Sequence, residues 1–366
     1  MSRQEPRRDA SAWRRLSVRC STAAAAMLLL ATTAHGQART KVFIDQDTSG
    51  PGGTDAISIA MLLNAPNIDV VGIGVVAGDA WLEQAVYHTL KIVELCGRRD
   101  VPVAVGAGEP LLNSREEVAK REALWGPKTG DGWHGNFGDQ IPAASTIPPA
   151  PGGPPTLKPV AQHAALLLIE MARKYPGELV LYTAGPLTNI ALAIELAPDI
   201  VGKIKAVYTM GGAIHVNEKF NFWWDAEAAA IHLRAPWKAM ELTPIDVCQK
   251  TQMSKALIEQ IVSANTPLSE YLKAVYLSPN TPKDIFTFMW DELSAASIID
   301  PGVITERVDR FIDVDFNHSV SYGRTFWFEA KNRPWWAKSP WKVQEDIDRA
   351  RFEKLFIDLM RKPPAR

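Results

Sequence analysis

Three carboxylates stand within eleven positions of one another in Lys41-Val-Phe-Ile-Asp-Gln-Asp-Thr-Ser-Gly-Pro-Gly-Gly-Thr-Asp55. Val42 to Ile44 reads as a buried strand ending in Asp45 and Asp47. A Gly/Pro-rich loop then leads to Asp55, and Ala56 to Asn64 reads as a helix. In an open α/β sheet, ligands bind in the crevice outside the carboxyl ends of the strands. Carboxylates crowded there repel one another, and a hard cation such as Ca²⁺ or Mg²⁺, which takes oxygen ligands, relieves that repulsion. A metal site is one reading. The other is ordinary turn chemistry, with Asp55 capping the helix that follows.

The elements around this cluster have the order of an α/β sheet. Ile68 to Val76 reads as a strand ending in Ala77-Gly78-Asp79, Leu82 to Cys96 as an amphipathic helix, and Val101 to Val105 as a short strand. Leu179 to Thr183, Ala206 to Met210 and Trp237 to Leu242 read as further strands, the first followed by the turn Gly185-Pro-Leu-Thr-Asn189 and a helix from Ile190. Strands alternating with helices predict an α/β fold: a single-domain, open, mostly parallel sheet flanked by helices. The last third is more helical, with a small late hairpin expected from Phe311 to Asp315 and Thr325 to Glu329. Asn113 to Lys158 is rich in Gly, Pro and Trp and is expected to be a long loop region.

Composition narrows the function. The chain of 366 residues carries a formal net charge of −1 without a basic stripe, which argues against nucleic acid and membrane surfaces as partners. At the N-terminus, Arg14, Arg15 and Arg19 precede the apolar Ala23 to Ala31, and small residues follow. Basic, then apolar, then small is the order of a secretory signal. Residues 1–38 are therefore expected to be a signal peptide, with residues 39–366 forming the domain, periplasmic or secreted and free of the membrane after cleavage. Cys20 falls in that leader. Cys96 and Cys248 remain, able to pair or to stand as free buried thiols. No CxxC or HExxH pattern appears, so a zinc site is not expected.

These segments, taken in order, resemble the inosine/uridine-preferring nucleoside hydrolase family over most of Val42 to Ile304. The similar stretches are Asp45-Gln-Asp47 with Asp55, Val75-Val-Ala-Gly-Asp79, Gly185-Pro-Leu-Thr-Asn189, Gly211-Gly212 with Phe220-Asn221 and Asp225-Ala-Glu-Ala-Ala229, and Trp290-Asp291 with Ile299-Asp-Pro301. The resemblance implies a nucleoside-hydrolase-like, Rossmann-like fold and Ca²⁺-dependent hydrolysis of the N-glycosidic bond of a small nucleoside-like substrate. It also implies a homo-oligomer. By the same resemblance Asp47 is general base and metal ligand, and Asp55, Asp291 and the main-chain carbonyl of Ala184 complete the ligand set. Asn221 matches a ribose contact, Asn217 is expected to face the sugar, and Asp45 is expected to orient the loop from behind.

Departures from the family pattern qualify the substrate. Thr54-Asp55 replaces a pair of aspartates after a longer loop. Asp79 stands where Asn is usual, Lys219 where a Glu grips the ribose, and Trp290 where many members carry a His before the metal aspartate. An indole N–H is no proton donor of matched pKa, but the ring can stack on a base. All three are expected at the substrate, with Lys219 pairing with Asp79. Two alternatives follow: a weakened, metal-retaining nucleoside- or sugar-binding protein, or a hydrolase of another riboside-like substrate. Other residues have a functional and a structural reading side by side. His134 is either a proton donor to the leaving base or a solvated loop residue. Trp223 and Trp224 are either a stacking wall or one core and one lid residue. For His88, Asp246 and Glu227 the structural reading is the expected one.

Overall fold

β1 (Thr40–Gln46) is the strand around which the sheet is organised. The computed structural model describes residues 1, 38–126, 132–135, 147–215, 220–279, 281 and 285–365. Contacts divide the chain into Met1–Arg39 and Thr40–Arg366, and the fold described here is that of the second unit. The expected signal peptide lies almost wholly outside the described residues.

Among the described residues a nine-stranded sheet has the order β3-β2-β1-β4-β5-β6-β9-β7-β8. Its strands are β1, β2 (Ile68–Val75), β3 (Val103–Val105), β4 (Val180–Thr183), β5 (Ala206–Met210), β6 (Met240–Thr243), β7 (Ile304–Val314), β8 (Thr325–Phe328) and β9 (Trp341–Ile347). β1 to β6 and β9 pair in parallel, and β7 runs antiparallel to both β9 and β8. The chain leaves β1 in one direction through β2 and β3, then returns to lay β4 on the other side of β1. That reversal makes β1/β4 the topological switch point, where open α/β sheets place their ligands.

Both faces of the sheet are covered. Val42 and Ile44 point into a core built with α1 (Thr54–Asn64), α2 (Leu82–Leu95), α11 (Trp290–Ile299) and α12 (Arg349–Met360). Phe43 points into a second core with α4 (Ala164–Lys174), α5 (Thr188–Leu196) and α7 (Ala226–Arg234). Two-sided burial explains why β1 reads as a continuous apolar run rather than an alternating one. Each such buried side chain contributes roughly 1.5–3 kcal/mol, which collectively offsets the desolvation of the carboxylates at the strand ends.

The expected α/β architecture and the late hairpin are present, with Phe311 opposite Phe328 and Val314 opposite Thr325. Three local expectations are corrected. The region from Asn113 contains a helix, α3 (Arg115–Trp125), started by Ser114, whose side chain accepts from the Glu117 N–H. Among its residues only Val118 and Arg121 are buried, so its apolar period is faint. The strand expected from Trp237 begins at Met240, because Trp237 turns to place its indole N–H on the His232 carbonyl, 2.9 Å away. β9 was not expected: its Glu345 and Asp346 make it read as polar, yet Trp341 and Val343 are buried. Cys96 and Cys248 are free, buried thiols.

Candidate active site

At the carboxyl ends of β1, β2, β4 and β5 lies a cavity of about 230 Å³. Its lining combines the carboxylates of Asp47, Asp55, Asp79 and Asp291 with the apolar side chains of Met210, Phe220, Ile245 and Trp290. A larger cleft, about 480 Å³, opens at the amino ends of β5, β6 and β9 around Tyr208, Lys238 and Lys342. The smaller cavity is the better candidate, because it lies at the switch point and gathers buried carboxylates and apolar side chains.

Asp47 is the residue after β1. Its Oδ2 accepts the Asp79 N–H at 2.8 Å. A Cβ at Gly78 would lie 2.3 Å from that oxygen, and one at Gly185 would lie 2.8 Å from Asp47 Oδ1. Glycine at the ends of β2 and β4 is therefore what lets the carboxylate sit between the two turns. Burial, then the neighbouring Asp55 and Asp79 charges, push the Asp47 pKa well above the ordinary carboxylate value, against the opposing Asp79 N–H bond. A cation bound among these carboxylates would offset that repulsion and keep Asp47 ionised, the form that can accept a proton.

Asp55 lies in the first turn of α1. It does not cap that helix: its Oδ2 accepts from Ser49 N at 3.0 Å and Ser49 Oγ at 2.6 Å. Asp291, in the first turn of α11, accepts from Gln46 Nε2 at 2.7 Å. Burial, then the Asp55 charge, raises its pKa well above the usual range. Asp45 stands behind the cavity wall, as expected of a supporting residue. Burial raises its pKa to about 7, while Asn189 Nδ2, donating at 3.0 Å, opposes the rise. The same Nδ2 donates to the Val75 carbonyl at 3.2 Å, and Asn189 Oδ1 accepts from Ala107 N at 2.8 Å. Asn189 thus ties the ends of β1, β2 and β3 together.

The donor set suits a hard cation. Asp47, Asp55, Asp291 and Ala184 line one cavity and offer carboxylate and carbonyl oxygens, the ligands that Ca²⁺ and Mg²⁺ prefer. Among the described residues no three His, Cys, Asp or Glu side chains close into a coordination group. The carboxylates lie close enough to raise one another's pKa and are held by protein donors, Ser49 on Asp55, Gln46 on Asp291 and the Asp79 N–H on Asp47. The Ala184 carbonyl accepts from Asn221 Nδ2 at 2.8 Å, and a carbonyl oxygen has a second lone pair to offer.

Asp47, Asp55, Asp79, Ala184, Asn221, Trp290 and Asp291, anticipated from widely separated segments, converge on this cavity. Asn221 is carried in by α6 (Phe220–Trp224), with Nδ2 also 3.2 Å from the Met210 carbonyl. Trp290 is half-buried, its ring edge-on to Phe288 at 5.0 Å. Asn217 and Lys219 lie outside the described residues, and with them the expected Lys219–Asp79 pair.

Several secondary expectations change. His134 is buried beside Trp133, neither solvated nor on the cavity wall. Trp223 and Trp224 are both core: Trp224 stacks on Trp133 at 5.3 Å and donates to the Trp133 carbonyl at 2.9 Å. Glu227 is structural, accepting from Tyr322 Oη at 2.6 Å and His318 Nε2 at 2.8 Å. His88 is the packed helix residue expected, its pKa pushed down to about 4 by burial. Asp246 is structural, accepting from Ile214 N at 2.8 Å and His215 N at 3.0 Å. Sequence reasoning missed Gln46, Met210, Ile245 and Glu292, and it read Thr54 only as a departure from an aspartate pair. Thr54 had a signal, since it stands next to Asp55. Gln46 also had one, lying between two aspartates.

Comparison with known proteins bears on the chain as a whole. A family model described as inosine-uridine preferring nucleoside hydrolase matches residues 42–354. A probable uridine nucleosidase 2 of Arabidopsis thaliana is 28% identical, over 87% of this chain and 97% of its own length. The inosine-uridine preferring nucleoside hydrolase of Leishmania major is 27% identical, over 87% of this chain and 97% of its own. Among solved structures, the purine-preferring ribonucleoside hydrolase of Gardnerella vaginalis superposes with a TM-score of 0.69 at 26% identity, over 88% of this chain and 98% of that one.

Proposed function

This chain belongs to the inosine-uridine preferring nucleoside hydrolase family, and from that premise we propose that it hydrolyses the N-glycosidic bond of a ribonucleoside or related riboside, with Ca²⁺ held by Asp47, Asp55, Asp291 and the Ala184 carbonyl. The observation that carries the reading is the placement of Asp47. It is buried between Gly78 and Gly185 at the switch point and opens onto the same cavity as Asp55 and Asp291.

When bound, the cation supplies Lewis acidity: it lowers the pKa of water and offsets the charge of the surrounding carboxylates. The chain's own residues do the rest. The riboside lies with its sugar toward Asp55 and Asn221, whose Nδ2 is committed to main-chain carbonyls and whose Oδ1 serves a sugar hydroxyl. As the C–N bond lengthens, its electron pair leaves with the base and the sugar gains oxocarbenium character. The neighbouring carboxylates stabilise that positive charge. Water attacks the anomeric carbon and Asp47 takes its proton at a carboxylate oxygen; the departing base takes up one proton from solvent and Asp47 returns one to solvent, so that ribose and neutral base are released. The base lies against Met210, Phe220, Ile245 and Trp290, which exclude water from the departing group.

The test is ribose release by the mature protein in Ca²⁺, assayed against inosine, uridine, cytidine and nicotinamide riboside. Reducing sugar and free base are expected in equal amounts, and a Ca²⁺ chelator is expected to stop their release. Stoichiometric nucleoside binding without product would favour a binding protein instead. We also propose export, on the basic, apolar and small order of residues 1–38. N-terminal sequencing of exported protein should then begin near Gln37 to Lys41, and a cytoplasmic product retaining Met1 would overturn it.

A further inference from the structure

The helices that carry Asp55 and Asp291 pack against each other, and one hydroxyl links their first turns. α1 begins after Gly53 and α11 after Met289, and neither residue caps its helix with a side chain. The first N–H groups of a helix need acceptors from elsewhere. Thr54 Oγ1 accepts the Asp291 N–H at 3.1 Å, so a residue of α1 caps α11 from 237 positions away. The same hydroxyl donates its one proton to Glu292 Oε2. Glu292 is 1% exposed and does not line the cavity. Thr54 is thus fixed from both sides: its proton is directed to Glu292 and its lone pair to the Asp291 backbone. Asp291 is tied a second time through Gln46.

We infer that Thr54 and Glu292 are positioning residues that fix the spacing between Asp55 and Asp291, and through it the affinity of the site for its cation. The inference rests on the Ca²⁺ reading of the cavity. Residues that orient metal ligands from behind act in this way, and their loss usually weakens metal affinity more than it alters the chemistry. Thr54 also faces the cavity, so direct contact with substrate is the competing role, and the two roles separate by measurement.

Calorimetric titration of the full chain with Ca²⁺ is the test, on the wild type and on Thr54→Val, Thr54→Ser, Glu292→Gln and Glu292→Leu. Thr54→Val keeps the shape and removes the hydroxyl. It is expected to raise the Ca²⁺ Kd by about 10- to 100-fold, with turnover recovering in excess Ca²⁺. Thr54→Ser should restore wild-type affinity. Glu292→Gln, which keeps an acceptor, should bind more tightly than Glu292→Leu. If Thr54→Val does not fold, the two Glu292 variants decide the matter by the same ordering. Wild-type affinity in Thr54→Val or Glu292→Leu, with or without a rise in KM, would overturn the inference while leaving the metal reading intact. Absence of Ca²⁺ binding by the wild type would remove the metal reading and this inference with it.

Discussion

Replacing Asp47 with Ala is expected to lower kcat/KM for nucleoside hydrolysis by at least about 10²- to 10⁴-fold, the usual contribution of a positioned general base. Loss of a cation ligand adds to that. The proposal gives the side chain both roles, because it lies near Asp55 and Asp79 and opens onto the same cavity as Asp291. Asp47→Asn separates them. The amide keeps a carbonyl oxygen for the cation but cannot accept the proton, so it should retain part of the Ca²⁺ affinity and little of the turnover. Steady-state ribose release, beside calorimetric Ca²⁺ titration of both variants, checks the assignment. Hydrolysis persisting in both variants and in the presence of a chelator would mean that the base lies elsewhere.

The legible part of this molecule is local. β1, its two aspartates and the helix after Asp55 occupy one continuous stretch, and a short run between two core faces leaves a clear apolar signature. The turn Gly185 to Asn189 could be read as a motif, but the reason for its Asn could not. Asn189 reaches Asp45, 144 positions away, and holds the Val75 carbonyl as well. Long-range pairing also hid the carboxylate supports, because Gln46 meets Asp291 across 245 positions and Thr54 meets Glu292 across 238. No spacing rule reports such contacts. Helix α3 was hidden for the opposite reason. Its cap, Ser114 with Glu117, is local and visible, but a mostly exposed helix has almost no apolar period to confirm it. His134 was misjudged because its neighbours in sequence, Gly132, Trp133 and Gly135, suggest an open loop. In the fold, Trp133 packs against Trp223 and Trp224 and takes the segment into the core.

Activated ribosides, such as p-nitrophenyl riboside or nicotinamide riboside, are expected to be cleaved at least about 10²-fold faster than inosine, the lower range of what a positioned acid contributes. The reason is the chemistry of the leaving group. A purine departs more easily when protonated, whereas nicotinamide leaves as a neutral base without any proton. Trp290 lines the cavity from the first turn of α11, as do Met210, Phe220 and Ile245 from other elements. An indole N–H can donate a hydrogen bond but cannot give up its proton near neutral pH. Catalysis must then depend on stabilising the sugar cation, a contribution that grows in relative importance as the leaving group improves. Trp290→His should raise kcat for inosine and change that for nicotinamide riboside little. Trp290→Ala should raise KM for both, because it removes the stacking surface. Inosine turnover equal to that of the activated ribosides in the wild type would show that a proton reaches the base by another route, and that Trp290 is a packing residue only.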